Sequence, residues 1–132
     1  MDIKLTKTDN KLDPELFNTV AKLAAEKVAS GGDRVNKSTQ LRKFYDEIVL
    51  WDNKLQMHSK TIQADKFGEY LPFIRMLNAK VAYAEGRKLV DHNFVSLLNK
   101  SLQQVTDPET LHTFKLFMEA FMGFYKQVRP RD

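Results

Sequence analysis

Apolar residues recur along this chain at intervals of three and four, the period of helices, and no stretch alternates well enough to predict a strand. The first run, Leu16, Val20, Leu23, Ala24 and Val28, opens at Asp13-Pro14-Glu15, a capping side chain followed by proline at the first helical position. It closes at Ser30-Gly31-Gly32, and the loop from Gly31 to Lys37 reads as the most flexible internal segment. Ser38 or Thr39 is expected to cap a second helix with Leu41, Phe44, Tyr45, Ile48, Trp51/Asp52 and Leu55 in register. Val49 and Leu50 leave that stripe and offer apolar area to another helix or a neighbouring subunit. From Met57 to Asp65 the pattern weakens into a polar connection.

The stretch Leu71–Arg87 is apolar nearly all the way round. Phe73, Leu77, Val81 and Ala84 lie on one side, with Ile74, Met76, Ala79, Ala82 and Tyr83 on the flanks. It predicts a helix packed on several sides, around which the rest of the chain is organised, with Pro72 at its start or at a kink and Gly86 at its end. Asp91 can cap a fourth helix bearing Phe94, Leu97, Leu98, Leu102 and Val105. Thr106-Asp107-Pro108-Glu109 starts the last, either as a Thr106–Glu109 capping box or with Asp107 as cap and Pro108 at the first position. That helix carries Leu111, Phe114, Phe117/Met118, Phe121 and Phe124/Tyr125 and ends before Pro130. The expected fold is all-α, a compact bundle of about five helices in a single domain spanning 1–132. Residues 1–12 form a loosely held arm whose Ile3 and Leu5 could dock.

Composition changes this picture little. A chain of 132 residues can bury a core without staples. Cysteine is absent, which removes disulfides, thiolate nucleophiles and Cys-containing zinc sites and suits a reducing compartment. There is no apolar leader and no run of 18 apolar residues, so a cytoplasmic location with no membrane contact is expected. A net charge of +4 is compatible with a polyanionic partner without requiring one.

The search for chemistry is mostly negative. Gly31-Gly32-Asp33 resembles the metal-binding turn of polymerase palm domains, but that turn joins two strands and helical patterns flank this one. His58, His92 and His112 are isolated from one another and from any ligand set. Asp91-His92 is the nearest approach to a metal pair, yet Asp91 is better used as a cap and adjacent helical residues do not face each other. No catalytic residue, metal or cofactor is expected. Two other readings are a small helical DNA-binding regulator, with the second and third helices as a helix-turn-helix, and a metal-dependent nuclease using Asp91 or His92. Against the regulator stand a connection longer than that motif's turn and a recognition helix too apolar for a groove.

One residue is out of place on the wheel. Lys80 lies among Phe73, Met76, Leu77, Tyr83 and Ala84, with Arg87 on the same face about 10 Å further along the axis. Both stems can also snorkel past apolar neighbours to water. Beside this, Ser38-Thr39-Gln40-Leu41-Arg42-Lys43-Phe44-Tyr45 and the whole of Leu71–Arg87 closely resemble the small Csm-type subunit of type III-A CRISPR interference complexes. The likeness extends through Phe94–Leu102 and the aromatic closing helix. It implies a helical subunit without catalytic activity that stacks in several copies as a filament inside a crRNA-guided complex. Its partners would be the backbone and large subunits, target RNA and the crRNA–target duplex. Carried over by motif, Arg42, Lys80 and Arg87 are the expected RNA-binding residues. Lys37, Lys43 and Lys88 are further candidates that a solvated charged face explains equally well. Tyr45 and Tyr83 could stack on bases, but their spacing favours the core.

Overall fold

The computed structural model describes residues 2–131. Among them the helical segments are a π-helical turn Leu16–Val20 running directly into α1 (Ala21–Ala29), then α2 (Ser38–Gln56), α3 (Lys60–Arg75), α4 (Leu77–Gly86), α5 (His92–Leu102) and α6 (Pro108–Val128). α3 and α4 meet at Met76 without a loop, its amide still donating to the Pro72 carbonyl at 3.2 Å. They read as one bent rod, giving the expected all-α bundle of five rods. The only strand-like pairing among the described residues is the isolated Thr8–Lys11 bridge, closed over Asp9 and Asn10 at positive φ.

α6 is the hub, rather than the Leu71–Arg87 stretch. Leu111, Phe114, Phe117, Met118, Phe121 and Tyr125 are all fully buried, and α6 packs on the π turn, α1, α2 and α3. By contrast the stretch from Leu71 buries only Ile74, Leu77, Val81 and Ala84, leaving Phe73, Met76, Ala79, Ala82 and Tyr83 exposed. Periodicity shows which residues can be buried. Within one chain α4 finds its main neighbour in α5.

Three local expectations change for physical reasons. The π turn, in which the Val20 amide donates to the Glu15 carbonyl, takes up one residue more than an α turn. The register after it therefore turns Ala21, Ala24, Ala25 and Val28 to the core and leaves Leu23 exposed. Residues 60–65 are helical, so the α2–α3 connection is Met57–Ser59 alone. Neither Ser38 nor Thr39 caps α2: the helix begins after an extended Lys37 with no side-chain cap, and Ser38 Oγ is buried without a partner.

At α6 the two start signals resolve in favour of Asp107, whose carboxylate accepts from the Thr110 amide at 2.8 Å while Pro108 opens the helix. Asp91 caps α5 by accepting from the Phe94 amide at 3.2 Å. Ile3 and Leu5 are buried, and Gln104 holds the backbone of both, accepting from the Leu5 amide and donating to the Ile3 carbonyl.

The Gly31–Lys37 loop is pinned rather than free. Arg129 donates to the carbonyls of Gly32, Asp33 and Val35, and the Tyr125 hydroxyl donates to the Asn36 carbonyl. Asn36 is fully buried at φ 58°, with its side chain joining the Val28 carbonyl to Asp91. A Cβ at Gly31 would stand 2.1 Å from Asp91 Oδ2, so a larger residue there displaces the carboxylate that caps α5.

Candidate nucleic-acid interface

Two links fix how α2 and α4 lie against each other. Glu47 in the middle of α2 accepts a 2.7 Å salt bridge from Lys80 in α4. At the end of the pair, the Asn36 amide, just before α2, donates at 3.0 Å to the Leu89 carbonyl, just after α4. Moving toward the start of α2 is thus moving toward the end of α4, so the two helices run past each other in opposite directions. The Asn36–Leu89 bond brings Lys37, Arg87 and Lys88 to one end of the seam. Lys43, one turn before Glu47, lies on the same edge of α2.

The exposed edge of the bent α3–α4 rod is a continuous stripe. Phe73, Met76, Lys80, Tyr83 and Arg87 follow at alternating intervals of three and four, and all are exposed. Its first half is apolar and is continued across the seam by Leu50 and by Trp51, whose ring stacks on Phe73 with centroids 6.1 Å apart. Its second half is cationic and aromatic, with the Arg87 guanidinium 5.9 Å from the centre of the Tyr83 ring. Tyr83 is 68% exposed, so the expectation that it packs in the core is corrected. Tyr45 is half-buried and packs against the core, as its spacing predicts.

The six basic residues named from the sequence divide. Lys37, Lys43, Arg87 and Lys88 are exposed and have no carboxylate partner among the described residues. Lys80 is exposed but paired to Glu47, which also receives the Trp51 indole N–H at 3.4 Å. Arg42 lies on the far edge of the exposed face of α2, about 100° round from Lys43, and makes a 3.8 Å contact with Asp46. Lys88 adopts φ 62°, the left-handed residue that ends α4: its amide donates to the Glu85 carbonyl and that of Leu89 to Ala84. This is a Schellman ending with lysine where glycine is usual. Gly86 is the last helical residue but does not supply the terminating conformation.

The histidines sit in structural contacts. His58 Nε2 lies 3.1 Å from the Tyr70 hydroxyl, and His92 is 3.8 Å from Glu85. His112 Nδ1 lies 2.9 Å from Oδ2 of the buried Asp52, joining α6 to α2. Among the described residues no group of three or more His, Asp or Glu could hold a metal ion. Two carboxylate and ammonium groups elsewhere are perturbed. Glu15 is held below the ordinary glutamate value by hydrogen bonds from Thr19 and Asn18, and the Glu119 carboxylate raises Lys115.

Against this geometry, a model of the Csm2 type III-A family matches residues 11–131. The chain belongs to the Csm2 family. It is therefore a small subunit of the type III-A Csm effector complex in CRISPR defence, structural rather than catalytic. No curated protein and no solved structure matches it. Family membership removes the DNA-binding regulator and the nuclease. The α2–α3 connection, expected from the sequence to be longer, is as short as a helix-turn-helix turn and does not itself exclude the regulator. Among the described residues no helix is long and apolar enough to cross a membrane.

Proposed function

We propose that this Csm2 subunit holds target RNA within the effector complex through phosphate contacts along the α2–α4 seam. The observation that supports it is the set of Lys37, Arg87 and Lys88 at the end where α2 and α4 are tied together, with Lys43 further along the same edge of α2, all exposed and without carboxylate partners among the described residues. Side chains on rigid helices that neutralise phosphates suit a strand whose sequence changes with each guide, because pairing with the guide supplies specificity. Lys80 contributes less than Arg87, since Glu47 already satisfies one of its donors and repels an approaching phosphate. Arg42 stands apart from the seam and contributes least.

The same reading places the protein in the cytoplasm, stacked copy on copy beside the backbone and large subunits and along the crRNA–target duplex. A stack needs two different surfaces on each copy. The apolar end of the stripe, Leu50, Phe73 and Met76, suits one of them.

The test is affinity purification of the tagged complex, with retention of guide-matched RNA measured against salt for Arg87→Ala and Lys80→Ala. Each lost phosphate contact lowers the logarithmic salt slope by roughly 0.7 to 0.9. Arg87→Ala weakens retention alike for unrelated guides, and Lys80→Ala does so by less. Loss confined to particular sequences, or an unchanged slope in both variants, refutes the phosphate reading.

A further inference from the structure

We infer that the Tyr83 ring, braced by Arg87, is a stacking seat for a nucleobase outside the paired strands, so that this surface holds RNA by a base as well as by phosphates. The inference rests on the RNA-binding reading above and adds a ligand class to it. Tyr83 is the most exposed aromatic side chain in the chain, at 68%, and among the described residues its only ring contact is the Arg87 guanidinium at 5.9 Å. A ring left in water needs no explanation when solitary, but this one occupies a specific place. It lies three residues after Lys80 and four before Arg87 on the same exposed stripe. A strand crossing the stripe can therefore set a phosphate on each cation and turn the base between them onto the ring.

The helix fixes the Tyr83 backbone and the Arg87 guanidinium lies beside the ring, which reduces what stacking must order. Arginine and tyrosine each offer a flat face to a base. A base paired within a duplex is already stacked on both sides, so the occupant is unpaired. Aromatic and arginine side chains also anchor protein partners. The apolar end of the stripe has that chemistry, whereas the Tyr83 end carries Arg87 and Lys88, both without a carboxylate partner among the described residues, which favours a polyanion.

The experiment uses the tagged complex and guide-matched RNA in which successive nucleotides are replaced by abasic ones. Tyr83 is exposed, so its substitution leaves the fold intact, checked by helical circular dichroism and by the recovery of subunits. Tyr83→Ala is expected to weaken RNA retention roughly 5- to 150-fold with no change in salt slope, while Tyr83→Phe retains it. At the contacted position an abasic nucleotide costs the wild type more than it costs Tyr83→Ala. If Arg87→Ala lowers the salt slope while Tyr83→Ala retains RNA as the wild type does, stacking is wrong and the phosphate reading stands. If Tyr83→Ala instead sheds a neighbouring subunit with no position-dependent abasic effect, the ring is a protein anchor and the inference falls. If no variant changes RNA retention, both readings fail.

Discussion

Asn36 ties together four parts of the fold, and its replacement tests whether that network holds the cationic end of the seam in place. The side chain is fully buried, donates to the Val28 carbonyl at 3.1 Å and to Asp91 Oδ1 at 2.7 Å, and accepts from the Asp91 amide at 3.0 Å. In Asn36→Ala, Asp91 Oδ1 keeps the Phe94 amide and the Val28 carbonyl keeps the Gly31 amide at 3.3 Å, but the part-buried Asp91 amide is left without a partner. A buried group left unsatisfied costs about 1–3 kcal/mol. Alanine at φ 58° adds about 1 kcal/mol of left-handed strain. The sum is about 2–4 kcal/mol, a large part of the roughly 5–15 kcal/mol that holds a domain of ordinary stability. In urea, followed by far-ultraviolet circular dichroism, this lowers the midpoint by about 1–2 M at a slope of about 2 kcal/mol/M. Asn36→Gly separates the contributions: it loses the same hydrogen bonds but tolerates the backbone, so it is about 1 kcal/mol milder than Asn36→Ala. An Asn36→Ala protein within 1 kcal/mol of the wild type would show that the loop is held by Arg129 and Tyr125 alone, and would refute the reasoning.

Glu47→Gln removes the carboxylate that occupies Lys80 and repels phosphate; RNA retention by the complex rises and its salt slope steepens, and a drop in retention would count against a seam that binds through charge. Lys88→Gly relieves a left-handed lysine, raising stability by about 1 kcal/mol in urea while lowering the RNA salt slope. A stabilised protein with an unchanged slope would leave Lys88 outside the RNA contact.

Helix ends were legible where a side chain makes the cap and hidden where the backbone makes it. Asp91 and the Asp107-Pro108 pair announce α5 and α6 by residue type. α2 starts without a side-chain cap, and α4 ends on a lysine in a glycine conformation, so the sequence carries no local mark of either. Leu23 was misplaced because a π turn shifts register without a composition signal. The Gly31–Lys37 loop has the residues of a mobile segment, but the groups that pin it, Tyr125 and Arg129, lie some ninety residues away in sequence. Lys80 is not out of place: it lies on the exposed stripe, beside Phe73, Met76 and Tyr83, which are exposed too. That Glu47 meets it there, and that Arg42 faces away from Lys43's edge of the seam, are facts of helix packing that no single helical wheel contains.

The division of the exposed stripe follows from the same packing. Lys80 stands at its midpoint, where its exposed 2.7 Å salt bridge to Glu47 ties α4 to α2. On one side of that contact Leu50, Phe73 and Met76 expose about half of their surface, which costs free energy in water and is recovered only against another apolar surface. On the other side Tyr83, Arg87, Lys88, Lys37 and Lys43 present charge and a flat ring, which an apolar neighbour would have to desolvate at a cost. A protein neighbour and an RNA strand are thus favoured at opposite ends of one rigid face. On the proposed reading, a subunit docked through the apolar end is fixed at a set distance from the strand at the cationic end, because both ends lie along α2 and the continuous α3–α4 rod.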